Sequence, residues 1–170
     1  MSAPPIESLL LVDADDSPIG SRPRDDVLSE RLWHRASGGV VVDVVERLVL
    51  CHRRSSEKDE RPGLWVATFG GKSSENEDPL STAQRELREE YGIDLSADMF
   101  SFYGKHRSEE RRQFEYLYVV PFDCKSEVKF DLGEVAEVRW VSKEELSIHL
   151  VGDDKWYIYG YELDIINSAI

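Results

Sequence analysis

Apolar and polar positions along the chain predict mostly strands, with helices in a few places. The apolar run Leu9 to Val12 lies within a first strand, Ser8 to Asp13, that enters the turn-forming Asp15-Asp16-Ser17-Pro18. Ile19 to Arg22 then returns beside it as a hairpin, and Pro23 opens a short helix to about Glu30. Gly39 to Val45 and Arg47 to His52 are rich in Val and Leu and read as two core strands. A short strand, Val66 to Phe69, ends at the double glycine Gly70-Gly71. Met99 to His106 and Phe114 to Phe122 read as strands joined by the polar Arg107 to Gln113. Glu137 to Ser142 is another strand, and Lys143 to Leu150 begins a helix. From Asp153 to Asn167, Trp156, Tyr159, Leu163 and Ile166 recur at helical spacing, which predicts a packed terminal helix.

One helix is bounded by its own chemistry. Asp78 caps it, Pro79 occupies its first turn where a missing amide proton costs nothing, and Gly92 closes it, giving Pro79 to Tyr91. Strands mixed with a few helices, without internal repeats, predict an α/β (α+β) sandwich in one domain, residues 1–170, with an N-terminal hairpin extension at about 6–36.

The chain has 170 residues, 41% of them hydrophobic, enough for a substantial core. Its 34 acidic and 21 basic residues give a net charge of −13, which argues against a nucleic-acid partner because phosphate backbones are bound by surplus Lys and Arg. A small phosphate-bearing substrate stays compatible, since bound cations reverse the local field. Cys51 and Cys124 show neither metal spacing nor a redox pair and read as free thiols. Met1 to Pro5 lacks a basic leader region, and no apolar stretch is long enough to span a membrane. These features predict a soluble, cytoplasmic protein, either monomer or homodimer.

The chemistry lies between Gly71 and Ile93. On a helix, Glu86, Glu89 and Glu90 share one face, while Leu80, Ala83, Leu87 and Tyr91 form an adjacent apolar stripe. The stripe docks the helix and leaves the acids pointing together. Like charges at this spacing destabilise a helix unless something positive sits among them. Oxygen-only clusters of this kind suit Mg²⁺ or Mn²⁺. A solvated face, with Arg85 and Arg88 paired to neighbouring acids, is the commoner outcome for an arbitrary glutamate-rich helix.

The segment resembles the Nudix box. It matches every fixed position of that pattern: Gly71, Glu77, Arg85, Glu86, Leu87, Glu89, Glu90, Gly92 and Ile93. The resemblance implies a Nudix fold, a mixed sheet sandwiched between helices, with the box at residues 71–93. It implies that Glu86, Glu89 and Glu90 bind the divalent cation or position water, joined by the carbonyl of Gly70 or Gly71. It also implies that Arg85 pairs with Glu77 in a structural role. A further acid often lies outside the box, and Gly133-Glu134-Val135 resembles the segment that delivers it; Glu137 is a second candidate. The reaction expected is attack of metal-activated water on a diphosphate, with Glu89 or Glu134 as base.

Leu11-Val12-Asp13, Trp33-His34-Arg35-Ala36-Ser37, Arg53-Arg54-Ser55 and Pro62-Gly63-Leu64-Trp65 resemble the branch related to isopentenyl diphosphate isomerase. Those isomerases need a cysteine and a histidine where this chain has Gly70 and Lys72, and of their two N-terminal histidine ligands only His34 has a counterpart, Val27 taking the other place. Isomerisation is therefore disfavoured, and a non-catalytic nucleotide sensor is the other alternative. Arg53, Arg54 and Lys72 are candidate phosphate contacts. Trp33, Trp65, Phe69 and Tyr103 fit core packing, as does the terminal stripe of Trp156, Tyr159 and Leu163, while His34, His52, His106 and His149 lack ligand spacing. The substrate class stays open among nucleoside diphosphate derivatives, nucleoside triphosphates, and phosphorylated sugars or isoprenoids.

Overall fold

The computed structural model describes residues 7–170, so the reading of Met1 to Pro5 lies outside the described residues. In chain order it holds β1 (Ser8–Val12), β2 (Pro18–Pro23), α1 (Arg24–Ser29), β3 (His34–Asp43), β4 (Leu48–Arg54), β5 (Trp65–Val66) and β6 (Phe69–Lys72). There follow α2 (Pro79–Tyr91), a short 3-10 turn, β7 (Ser101–Ser108), β8 (Gln113–Pro121), β9 (Val135–Ser142), α3 (Lys143–Gly152) and α4 (Gly160–Ala169).

Strand β3 organises the sheet. It runs parallel to β8 from His34 opposite Gln113 to Val42 opposite Pro121, and antiparallel to β6 through Ala36 to Gly39. Its far end pairs with β4, which carries β5 and β9, while the β1–β2 hairpin joins at Leu11 opposite His34 and β7 flanks β8. Successive strand residues face opposite sides. Val40 and Val42 accordingly pack with Leu146, Ile165 and Ile166 of α3 and α4, whereas Val41 packs with Ala83, Leu87 and Tyr91 of α2. The outcome is the expected mixed sheet between helical layers. Burying each large apolar side chain contributes about 1.5–3 kcal/mol. Among the described residues no helix is long and apolar enough to cross a membrane.

Three expectations need correction. Strand β3 begins at His34 rather than Gly39, because Ala36-Ser37-Gly38-Gly39 has no bulky strand formers yet lies between two close neighbours. A Cβ on Gly39 would stand 1.9 Å from the Tyr118 carbonyl oxygen, and one on Gly38 2.0 Å from that of Phe69. The strand expected at Val66 to Phe69 is two strands separated by Ala67-Thr68, the second running through the double glycine to Lys72. The terminal helix starts at Gly160, not Asp153. Trp156 instead forms a backbone bridge to Trp65 with the rings stacked at 5.3 Å, and Tyr159 is the residue that caps α4. Helix α2 keeps its expected bounds: Asp78 Oδ1 accepts from the Ser81 amide at 2.8 Å, and Gly92 ends it with φ 63°.

Candidate active site

Arg85 answers the repulsion that the sequence sets up on α2. Its Nε donates to Glu77 Oε1 at 2.7 Å and its Nη1 to Glu86 Oε1 at 2.6 Å and Glu89 Oε2 at 2.9 Å. Its Nη2 reaches Glu77 Oε2 and the Lys72 carbonyl, both at 3.1 Å. Glu77 in turn accepts from the Ser74 amide at 3.0 Å and from the Thr82 hydroxyl at 3.2 Å. One guanidinium thus joins the loop before α2, the end of β6 and two acids of the helix face.

Gly71 lies against this cluster. A Cβ there would fall 2.1 Å from Glu86 Oε1, so the absence of a side chain is what lets the Glu86 carboxylate approach the β6 backbone. Burial pushes the Glu86 carboxyl above its ordinary pKa, with Arg85 opposing. Glu90 is only 4% exposed, and its Oε2 has no hydrogen-bond partner. Burial, and then the charge of Glu86, raise its pKa well above the usual carboxylate value. Buried polar groups are normally paired, so this oxygen, like the Nε2 atoms of His34, His52 and His149, is an exception that carries an unmet desolvation cost.

A cavity of about 900 Å³ opens over these acids. Glu86, Glu89 and Glu90 line it, as do Gly70 and Gly71, and Glu134 enters from the loop before β9, where it forms an ion pair with Lys58. Arg54 and Lys72 also line it, and Lys72 pairs with Glu60 at 3.5 Å. Arg53 is not brought to the cavity. Its Nε is 3.5 Å from Glu137, its cross-strand neighbour, and Glu137 likewise does not line the cavity. Among the described residues the box acids do not form a group whose potential ligand atoms all lie within 4.8 Å of one another; the group that does is Asp43, Asp123 and Cys124. There Asp43 is occupied as a turn anchor, accepting from the amides of Val45, Glu46 and Cys124 at 2.9–3.0 Å.

Sequence reasoning missed part of the wall. Tyr159, expected as packing, lines the cavity and bonds Arg61, which lies 3.8 Å over the Tyr157 ring. Arg111 from the turn before β8 and Glu115 from β8 reach the cavity, bonded to each other at 3.0 Å. Glu162 lines it from α4, accepting from Thr68 at 3.1 Å and from the Tyr159 amide at 2.8 Å; burial pushes its pKa up to about 7 despite the latter bond. Glu162 falls three residues after the N-cap Tyr159, the capping-box position, which was the available signal. Of the other residues expected as packing, Trp33 lies against Phe114 with the rings tilted, Trp65 and Phe69 are buried, Phe69 also lining the cavity, and Tyr103 is 42% exposed. His52 is buried with Nδ1 2.7 Å from the Tyr91 hydroxyl, a structural place.

Residues 32–160 match the NUDIX domain. The chain is 34% identical over 139 residues to an uncharacterized Nudix hydrolase, YfcD, of Salmonella typhi, covering 81% of this chain and 73% of that one. It is also 34% identical over 123 residues to an isopentenyl-diphosphate Delta-isomerase of Serratia proteamaculans, covering 70% and 68%. Among solved structures, DR0079 of Deinococcus radiodurans shares the fold with TM-score 0.75 at 20% identity, over 96% of this chain and 99% of that one. The sandwich, the complete acidic box on α2 and these relatives together define a pyrophosphohydrolase. The chain belongs to the NUDIX domain family.

Proposed function

We propose that the chain hydrolyses a diphosphate linkage in a small nucleoside-diphosphate-type substrate, using Mg²⁺ or Mn²⁺ held by Glu86, Glu89 and Glu90 with a carbonyl of Gly70 or Gly71. The observation that carries this reading is Glu90, a buried carboxylate with one oxygen unpartnered beside a second raised carboxylate. An all-oxygen donor set of this charge fits a hard divalent cation. When bound, such a cation neutralises charge on phosphate oxygens and acidifies water.

The side chains divide the remaining work. Arg85 keeps Glu86 and Glu89 oriented from one side, so that the acids are placed before any ligand arrives. Arg54 and Lys58 line the cavity close enough for their charges to act on Glu90, and they offer donors to phosphate oxygens. Glu134, across the cavity, or Glu89, half exposed on α2, accepts the proton of the attacking water.

Isomerisation and hydrolysis need different groups. The isomerases that the chain resembles use a thiol at the position of Gly70 to exchange a proton at carbon. Neither thiol of this chain lines the cavity, and Cys51 is fully buried in the core facing α3 and α4. A sensor that only bound its ligand would gain nothing from the mutual repulsion of these acids. The test is turnover of nucleoside diphosphate derivatives at limiting Mg²⁺ by wild type and Glu90→Gln. We expect a loss of about 100-fold or more in the variant with its fold intact. Full turnover by Glu90→Gln overturns the assignment.

A further inference from the structure

The cavity does not end at the box acids. Strand alternation sends Gly71 toward α2 and its neighbour Lys72 to the other face of the sheet, where Thr68 meets Glu162 of α4. On that face the Lys72 side chain is only 13% exposed, and the acid paired with it is Glu60, at 3.5 Å. Glu60 belongs to the loop between β4 and β5 and is itself 62% exposed, so the pair is loose and one-sided. Two further cations, Arg24 from α1 and Arg111 from the turn before β8, line the cavity near enough for their charges to act on Lys72. Arg24 is held at 3.3 Å from Glu7, and Arg111 is held by Glu115 and the Tyr161 hydroxyl at 3.0 and 2.9 Å.

Arg24 and Arg111 each keep a carboxylate of their own, Glu7 and Glu115, whereas the desolvated Lys72 ammonium, with three donors, has among the described residues the one long contact to Glu60, a costly arrangement that an anion relieves. The diphosphate held at Glu86, Glu89 and Glu90 is the poorer match for that anion, because Lys72 stands on the opposite face of β6 from Gly71, which lies against Glu86. We propose that Lys72, Arg24 and Arg111 form a second anion subsite that takes a phosphate monoester carried by the substrate at a distance from the diphosphate that is cleaved.

The proposal rests on the hydrolase reading for what lies at the other end of the cavity, but its test is a binding measurement that does not need turnover. Two matched pairs of diphosphates differ by one distal phosphate: coenzyme A against dephospho-coenzyme A, and NADP⁺ against NAD⁺. Dissociation constants are measured by calorimetry with the Glu90→Gln protein, so that no ligand is consumed, and again after adding Lys72→Met or Arg24→Ala. In at least one pair the phosphorylated member binds about tenfold tighter, as one charge-assisted contact supplies. Lys72→Met brings that pair to within about twofold, and Arg24→Ala, at a half-exposed position that leaves the core untouched, narrows it in part. Equal binding within both pairs, a preference that survives Lys72→Met in a folded protein, or binding of no member overturns the subsite. If wild type cleaves none of the four but the Lys72-dependent preference stands, the subsite stands, and the hydrolase reading is decided separately by turnover of the other diphosphate classes.

Discussion

Glu90 and Glu162 are both buried carboxylates in one cavity, yet they are held in opposite ways. Glu90 keeps an oxygen with no partner, whereas both oxygens of Glu162 accept hydrogen bonds, from Thr68 and from the amide that begins α4. Glu162 therefore has a structural place whose cost depends on pH. Burial raises its carboxyl from 4.5 to about 7, so as the pH rises the unfolded chain gives up this proton first. The folded state then loses stability from about pH 4.5 to about 7, by up to about 3 kcal/mol, and the loss is complete above that window. Glu162→Gln removes this dependence while keeping an acceptor for the cap. Melting temperatures of both proteins across the window check it: the wild type falls relative to the variant as the pH rises, and a constant difference contradicts it.

Two elements decide whether the acids are presented at all. Helix α2 was legible to the residue because its signals are local, a capping aspartate, a first-turn proline and a closing glycine. Strand β3 was not, since the small residues that start it are chosen by neighbours distant in sequence. Gly39→Ala would place a methyl 1.9 Å from backbone on β8, and it is expected to cost about 3 kcal/mol or more, seen as a lowered denaturant midpoint. An unchanged midpoint would show that the close β3–β8 approach is not needed. Gly71→Ala is a milder change with a different readout. Its methyl meets the movable end of Glu86, so the protein folds while Mg²⁺ affinity weakens by about tenfold, measured by calorimetry. Undiminished affinity would place Glu86 outside the metal's reach. The box residues were thus readable as a pattern, but the far wall was not. Arg61, Arg111 and the pair Tyr159 and Glu162 come from three places in the chain, and only folding brings them to one cavity.

At the scale of the whole molecule, the strong negative charge excludes little about a small phosphate-bearing ligand, because basic side chains still reach the cavity among its acids. Arg24, Arg54, Lys58, Arg61, Lys72 and Arg111 all line the cavity that also holds the box acids. Sequence composition gives the sum of the charges and not this placement, to which the β4–β5 loop contributes Lys58, Arg61 and the Glu60 partner of Lys72. The sheet sandwich supplies the rigidity for it, with separate cores on its two faces meeting α2 on one side and α3 and α4 on the other. The central claim is that this cavity splits a diphosphate with water. The most direct measurement is mass spectrometry of products in heavy-oxygen water with Mg²⁺, across nucleoside diphosphates and triphosphates, nucleotide sugars, dinucleotides and isopentenyl diphosphate. The account predicts cleavage of one class, with a single heavy oxygen in one phosphate product and no product when the metal is chelated. Absence of cleavage across the panel by folded, metal-supplied protein, or conversion of isopentenyl diphosphate to its isomer, would contradict it.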